Sequence, residues 1–199
     1  LKILSLRGVP NAFGPQRFGA RKNSAEVGRA LALGDWGRAV ECLLGRCPEG
    51  GGEEADREGQ SRADEAAERF RDGDLIGSRR LYPESWRAEQ RVLAAMIDGA
   101  SPEKAMRTIT RRERALFASA FQAAVFNVCL AQRMAGDTHA EILAGDVVVN
   151  HRSEKIRRVG DPAKERAARV AFEISPTGPL IGEKMLEARG VPGEVEARV

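Results

Sequence analysis

Histidine and cysteine are scarce in this 199-residue sequence: His139 and His151, and Cys42, Cys47 and Cys129. Three cysteines at these spacings make neither a disulfide framework nor a metal-binding pair, and two histidines do not complete a structural zinc site. The cysteines therefore read as reduced thiols of a cytosolic protein. No apolar run approaches the roughly 20 residues that a membrane span needs. The opening residues are too polar for the apolar core of a secretory signal. Walker loops and dinucleotide fingerprints are missing too, so no motif points to a nucleotide cofactor. The chain does not begin with Met. Leu1 opens a stretch that reads as mid-domain, and Val199 falls in a helix-like charged stretch, so both ends read as cut.

What is present is ordinary globular material, 42% apolar and 31% charged. That balance excludes a wholly disordered chain, and the length suits one sizeable core or one domain with part of another. The net charge of +3 says less than its distribution. Residues 1–38 carry seven Lys/Arg against two acids, 39–75 five against eleven, and 76–133 ten against five. Two basic blocks flanking an acidic one can form a footprint for phosphate backbone, or can simply be solvated helix faces.

Periodicity and turn chemistry divide the chain. Up to Gly19, glycines, phenylalanines, Pro10 and Pro15 predict strand and tight turns. Asn23, with Glu26 three residues on, predicts a capped helix that Gly34 stops, and Asp35 caps another over Trp36–Leu44. Residues 48–60 are Gly- and Glu-rich and predict a loop. Helices are expected over 62–71 and 84–98, and after Ser101-Pro102. The clearest element starts at the capping box Thr110-x-x-Glu113. There Leu116, Phe117, Ala120, Phe121, Ala124, Val125, Val128 and Ala131 form an apolar stripe running to Met134, with Gly136 as the stop. Asn127 falls near this stripe and reads as a satisfied core amide. Farther on, 146–149 and 170–174 predict strands, Ser175 to Pro179 a loop, and 181–189 a helix closed by Gly190 and Pro192. The whole is α+β, largely helical with a small sheet.

The densest chemistry lies in Gly8 to Gly19. Three glycines, two phenylalanines, Asn11, Gln16 and Arg17 crowd into twelve positions. Such a stretch can bring backbone close to a ligand, stack Phe13 on a base and aim amides and a guanidinium at it. It can equally be a turn whose phenylalanines sit in a core.

The run Asn11-x-Phe13-Gly14-x-Gln16-Arg17-Phe18-Gly19 resembles the characteristic motif of the TruD family of tRNA pseudouridine synthases. Leu116 to Gln122 with Val125-Phe126-Asn127 is similar to that family's long helix, which ends in Leu-Phe-Asn. Gly145-Asp146 resembles its strand start, and Thr177-Gly178-Pro179-Leu180-Ile181-Gly182 its Thr-Gly-Pro-Leu-x-Gly loop. The resemblance implies that residues 1–36 are the end of a catalytic domain and 37–199 an inserted, largely helical domain with a small sheet. Chain returning to the catalytic domain would lie beyond Val199. It further implies isomerisation of a D-arm uridine of tRNA, uridine-13, to pseudouridine by a cytoplasmic monomer with no cofactor, no metal and no membrane partner. Substrate-binding roles are implied for Asn11 (positioning the base or the catalytic carboxylate), Phe13 (stacking on the base), and Gln16 and Arg17 (loop support or phosphate contact). The family's nucleophilic Asp sits in a Gly-x-Lys-Asp context upstream of this motif, and none of the nine aspartates here has that context. No catalytic residue is therefore assigned to the chain, which is expected to be inactive alone. A stand-alone RNA-binding module derived from the family is the alternative.

Overall fold

The computed structural model describes residues 9–45 and 57–199. The chain divides into two compact units, one of residues 14–121 and one combining 1–13 with 122–199. The first is helical, and the second carries the sheet.

The helical unit opens with a 3-10 turn over Pro15–Phe18. Helices α1 (Ser24–Ala32) and α2 (Trp36–Leu44) follow, then α3 (Arg57–Arg71), α4 (Leu75–Leu81), α5 (Arg87–Ile97) and α6 (Pro102–Arg107). Three expected caps form. The Asp35 carboxylate accepts from the Arg38 N–H at 2.9 Å, and the Ser101 hydroxyl from the Lys104 N–H at 3.4 Å. In the capping box the Glu113 N–H donates to Thr110 Oγ1 at 3.3 Å, and the Thr110 N–H donates back to the Glu113 carboxylate at 2.9 Å. Each cap satisfies a backbone donor that the first turn of a helix leaves unpaired.

Asn23 departs from expectation. Its side chain makes no cap bond to α1. The residue is only 5% exposed, and its Nδ2 donates instead to the Cys42 carbonyl at 2.8 Å. A buried carbonyl at the end of α2 needs a donor more than a partly solvated helix start needs an acceptor. The neighbouring carbonyls are met in the same way. The Arg21 guanidinium donates to Leu43 O at 2.6 Å and to Gly45 O, and the Tyr82 hydroxyl donates to Leu44 O at 2.6 Å. Arg21 also lies 5.7 Å from the centre of the Tyr82 ring. Burial pushes the Tyr82 hydroxyl up to about 12, so it stays a donor at any physiological pH.

Val27, Val40, Leu43, Leu44, Val92, Leu93, Met106 and Ile109 build the core of this unit. The long helix α7 (Arg111–Ala135) contributes its first half here. Contrary to the expectation that no apolar stretch is long enough, α7 is long and apolar enough to cross a membrane by length and composition alone. The expected stripe is only partly inward: Ala120, Ala123, Val125 and Cys129 are buried, while Leu116 is 57% and Val128 45% exposed. Small residues face inward where backbones come close. A Cβ on Gly28 of α1 would stand 2.0 Å from the Phe117 carbonyl oxygen.

The expected loop over 48–60 lies outside the described residues up to 56. From Arg57 the chain is already helical, in keeping with the helix propensity of Arg, Glu and Gln. Helix α4 has no counterpart among the expected elements. It is seven residues long with too short an apolar pattern to register, yet Asp74 caps it through the Gly77 N–H at 2.8 Å.

In the sheet unit, β1 (Val147–Asn150) is the middle strand. It is flanked by β2 (Ile156–Arg158) and β3 (Ile174–Pro176), both antiparallel to it, in the order β2-β1-β3. Val148 faces Arg157 on one side and Pro176 on the other. Helix α8 (Pro162–Val170) occupies most of the approach to β3. The expected strand over 170–174 is thus the end of a helix. Phe172 adopts a left-handed φ of +53°, the Phe172 N–H bonds Arg169 O at 3.1 Å, and the Glu173 N–H bonds Ala168 O at 2.9 Å. This is the looped-back helix end usually given to glycine. Phe172 takes it with the Arg169 guanidinium 5.1 Å from its ring centre.

The expected helix over 181–189 is also absent, and the chain is helical instead over α9 (Gly190–Ala197). Pro192 therefore sits inside a first turn rather than after a last one, where its missing N–H costs nothing. The backbone before it is drawn sideways into tertiary bonds. The Arg158 guanidinium donates twice to Glu187 O, at 2.7 and 3.0 Å, and the Arg189 N–H bonds Gly145 O at 3.0 Å. Local propensity yields to those contacts.

Gly28→Ala is expected to destabilise the helical unit by about 1–3 kcal/mol, the usual cost of forcing atoms into a packed helix contact. Gly160→Ala, where a Cβ meets nothing within 4 Å, serves as the control. Urea denaturation followed by circular dichroism measures both.

Candidate active site

The sheet unit holds the N-terminal arm of the Asn-x-Phe segment. Asn127, in the second half of α7, takes hold of it. The Phe13 N–H donates to Asn127 Oδ1 at 2.9 Å, and Asn127 Nδ2 donates to Phe13 O at 2.9 Å. Both halves of the amide are used, as a neighbouring strand would use a peptide group. The Phe13 ring meets Phe126 edge to face, with centroids 5.3 Å apart and planes at 80°. The loop after β3 also closes on Phe126. A Cβ on Gly178 would come within 2.6 Å of the Phe126 ring, so only glycine lets that loop pass.

Beside this assembly is a cavity of about 560 Å³. Its polar lining comes from Asn11, His151, Ser175, Thr177 and Glu196 together with the cations Arg133 and Arg169 and with His139, and Val9, Phe126, Leu130, Pro179 and Leu180 supply much of its apolar wall. Asn11 is exposed and Phe13 half-buried. The His151 Nε2 and Ser175 Oγ are 2.9 Å apart. Gln122 Nε2 donates to Ile181 O at 2.6 Å and ties the start of this half of α7 to the loop. A largely apolar cavity of this size with convergent polar groups suits a small-molecule group. Among the described residues, no group of three His, Cys, Asp or Glu side chains could hold a metal ion.

Two acids stand close to the cavity, and they are held in opposite conditions. Asp146 is 1% exposed. It is paired with Arg133 at 2.5 Å and also accepts the Leu143 N–H at 2.7 Å. Both of its oxygens thus accept hydrogen bonds. Burial pushes the Glu196 carboxyl above the usual carboxylate range; the Ala188 N–H and Arg133 draw it down, and Asp146 raises it. Burial likewise raises the Cys129 thiol.

The other two singled-out residues belong to the helical unit. Gln16 is exposed in the 3-10 turn, and its carbonyl accepts the Gly19 N–H at 3.5 Å. Arg17 is exposed, and its Nη1 donates to the Ser119 hydroxyl of α7 at 3.3 Å. Arg21, counted among the cations of the first basic block, is only 8% exposed and serves the end of α2. The anchoring roles of Asp146 and Arg133 are not evident from motif or spacing. The signal available is Asp146 standing immediately before a run of three valines, a position where an unpaired carboxylate would be costly.

Comparison with known proteins then places the chain. The model of the tRNA pseudouridine synthase D (TruD) family matches residues 1–199. The chain belongs to that family of tRNA-modifying enzymes. It is similar to the tRNA pseudouridine synthases D of Geotalea daltonii and Geobacter sulfurreducens, 38% identical to each over 200 residues. The alignments cover 100% of this chain and 48% and 47% of those relatives, so the chain spans about half their length. A crystal structure of a Methanosarcina mazei protein described as a putative tRNA pseudouridine synthase D shares the fold. Its TM-score is 0.82 at 24% identity, covering 99% of this chain and 46% of that one.

Two outcomes test the electrostatics of the site. Arg133→Met leaves Asp146 buried without its partner and is expected to cost about 3–5 kcal/mol. Combining it with Asp146→Leu should recover a good part of that loss in thermal denaturation. Glu196 behaves differently with pH. A carboxyl whose folded pKa lies above its unfolded value loses stabilisation as pH rises through the folded pKa. Glu196→Gln is therefore expected to stabilise the chain at neutral pH and to make no difference in acid, where both side chains are uncharged. Melting temperatures at pH 4 and pH 7.5 decide it.

Proposed function

We propose that the protein to which this chain belongs converts a D-arm uridine of tRNA, uridine-13, to pseudouridine without a cofactor, in the cytoplasm and as a monomer. Asn11 at the rim of an apolar cavity, next to a Phe13 whose backbone is held by Asn127, is the observation that carries this reading. Membership of the family supports it further.

The reaction breaks the bond between N1 of uracil and C1′ of the ribose. It then joins C5 to C1′, releases the C5 proton to water and takes up a proton at N1, so that the product is an isomer of the substrate. The target nucleotide must leave its stack to be reached. In this reading Phe13 stacks on the extruded base and holds it while it turns. Asn11 positions the base or the attacking carboxylate, and Gln16 and Arg17 support their loop or meet backbone phosphate. The carboxylate that attends C1′ is supplied by chain outside these 199 residues. Neither acid beside the cavity is suited to attack at that carbon, since Asp146 is neutralised by Arg133 and burial disfavours the ionised form of Glu196. Residues 1–36 are then assigned to the catalytic domain and 37–199 to the insertion. The compact units divide the chain elsewhere, at residues 13 and 121.

With tRNA tritiated at uridine C5, the full-length protein is expected to release label and the 199-residue chain alone to release none. Release by the chain alone would place a sufficient carboxylate within it. A full-length protein that binds tRNA with steep salt dependence yet releases no tritium would instead be a non-catalytic RNA-binding module.

A further inference from the structure

We propose that Asn127 is a positioning residue for Phe13, and that Phe126 and Gly178 complete the cradle that sets the angle of its ring. The inference rests on the isomerase reading above. It ties together three separate stretches of sequence: the Asn-x-Phe segment, the run Val125-Phe126-Asn127, and the loop Thr177-Gly178-Pro179.

The geometry is specific. Only one orientation of the Asn127 amide satisfies Phe13, with Oδ1 toward the N–H and Nδ2 toward the carbonyl, both at 2.9 Å. Two bonds to one residue hold the peptide groups on both sides of Phe13. The Phe13 ring, leaving this fixed backbone, rests its edge or face on Phe126 at 5.3 Å. Phe126 cannot retreat toward the loop, because Gly178 already lies so close that even a methyl group there would overlap the ring. Neither Asn127 nor Phe13 lines the cavity, whereas Phe126, which the Phe13 ring meets, does, so any effect of Asn127 on a bound base passes through Phe13 and its contact with Phe126.

A fully satisfied amide in a half-buried position could serve stability alone. The distinguishing property is coupling. A stacking ring misplaced by about 1 Å costs on the order of 100-fold in rate when the reacting base must be held in one pose. A residue that acts only through Phe13 has nothing left to contribute once the Phe13 ring is gone.

The test is a double-mutant cycle in the full-length protein with Asn127→Ala, Phe13→Ala and the pair, reading single-turnover pseudouridine formation and tRNA Kd separately. Asn127→Ala is expected to lower the rate about 10–100-fold with Kd unchanged, and the pair to be no slower than Phe13→Ala. Rate losses that multiply would overturn the proposal. So would an Asn127→Ala protein as fast as the parent. If Asn127→Ala does not fold, Asn127→Asp keeps the shape and one acceptor, and the same cycle is run with it. Amide hydrogen exchange of Phe13 provides a readout independent of catalysis. Protection in the parent that disappears in the Asn127 variant supports the clamp even if the parent makes no pseudouridine, in which case the isomerase reading alone fails. An unprotected Phe13 amide in the parent sinks the clamp itself.

Discussion

The end of helix α2 is the constraint on which the helical unit depends. Helices leave their last carbonyls without partners, and those of α2 finish inside the protein. Asn23, Arg21 and Tyr82 meet the carbonyls of Cys42, Leu43, Leu44 and Gly45 one after another. Three side chains thereby replace the water that the carbonyls would otherwise need. The guanidinium adds a positive charge where the helix dipole is negative. The same bonds join the segment before α1, the end of α2 and the residue after α4, so the core residues around Leu43 and Leu44 pack against parts already held in register.

The sheet unit is secured differently. The buried apolar core cluster around Leu43, Leu93 and Met106 belongs wholly to the helical unit, and the sheet unit carries most of the exposed large apolar side chains, Val9, Val170, Phe172 and Leu180 among them. Its order comes from pointed polar ties. Arg133 is bound to Asp146, Asn127 to Phe13, Arg158 to Glu187 and Gln122 to Ile181. Such ties demand definite geometry of each partner. They suit a region where a half-buried aromatic ring must hold one orientation more than they suit one that needs only bulk stability.

Local signals in the sequence are legible where the physics is local. Asp35, Ser101 and the Thr110–Glu113 box cap the helices predicted to follow them, because capping involves residues within four positions of one another. Long α7 is legible for the same reason, although Leu116 and Val128 face outward. Asn23 has the same signature and does something else, since a carbonyl 19 residues away competes for its amide. The expectations fail over 170–174 and 181–189, where alternation and helix propensity are overruled by a left-handed Phe172 and by side-to-backbone bonds from Arg158. Within the candidate site the individual residues Asn11 and Phe13 are visible in the motif. That Asn127 grips Phe13 from 114 positions away is not, because nothing in spacing encodes a contact made by tertiary packing.

The two described thiols lie one in each compact unit. Cys42 is buried among the core residues of the helical unit, and Cys129 is a buried free thiol on the inward side of the second half of α7. The sheet unit thus encloses a native chemical reporter. A reagent that alkylates Cys129 registers the opening of that unit, while circular dichroism follows the helices of the other. The two signals can be timed apart, and in a protein whose halves are secured by such different means they need not coincide.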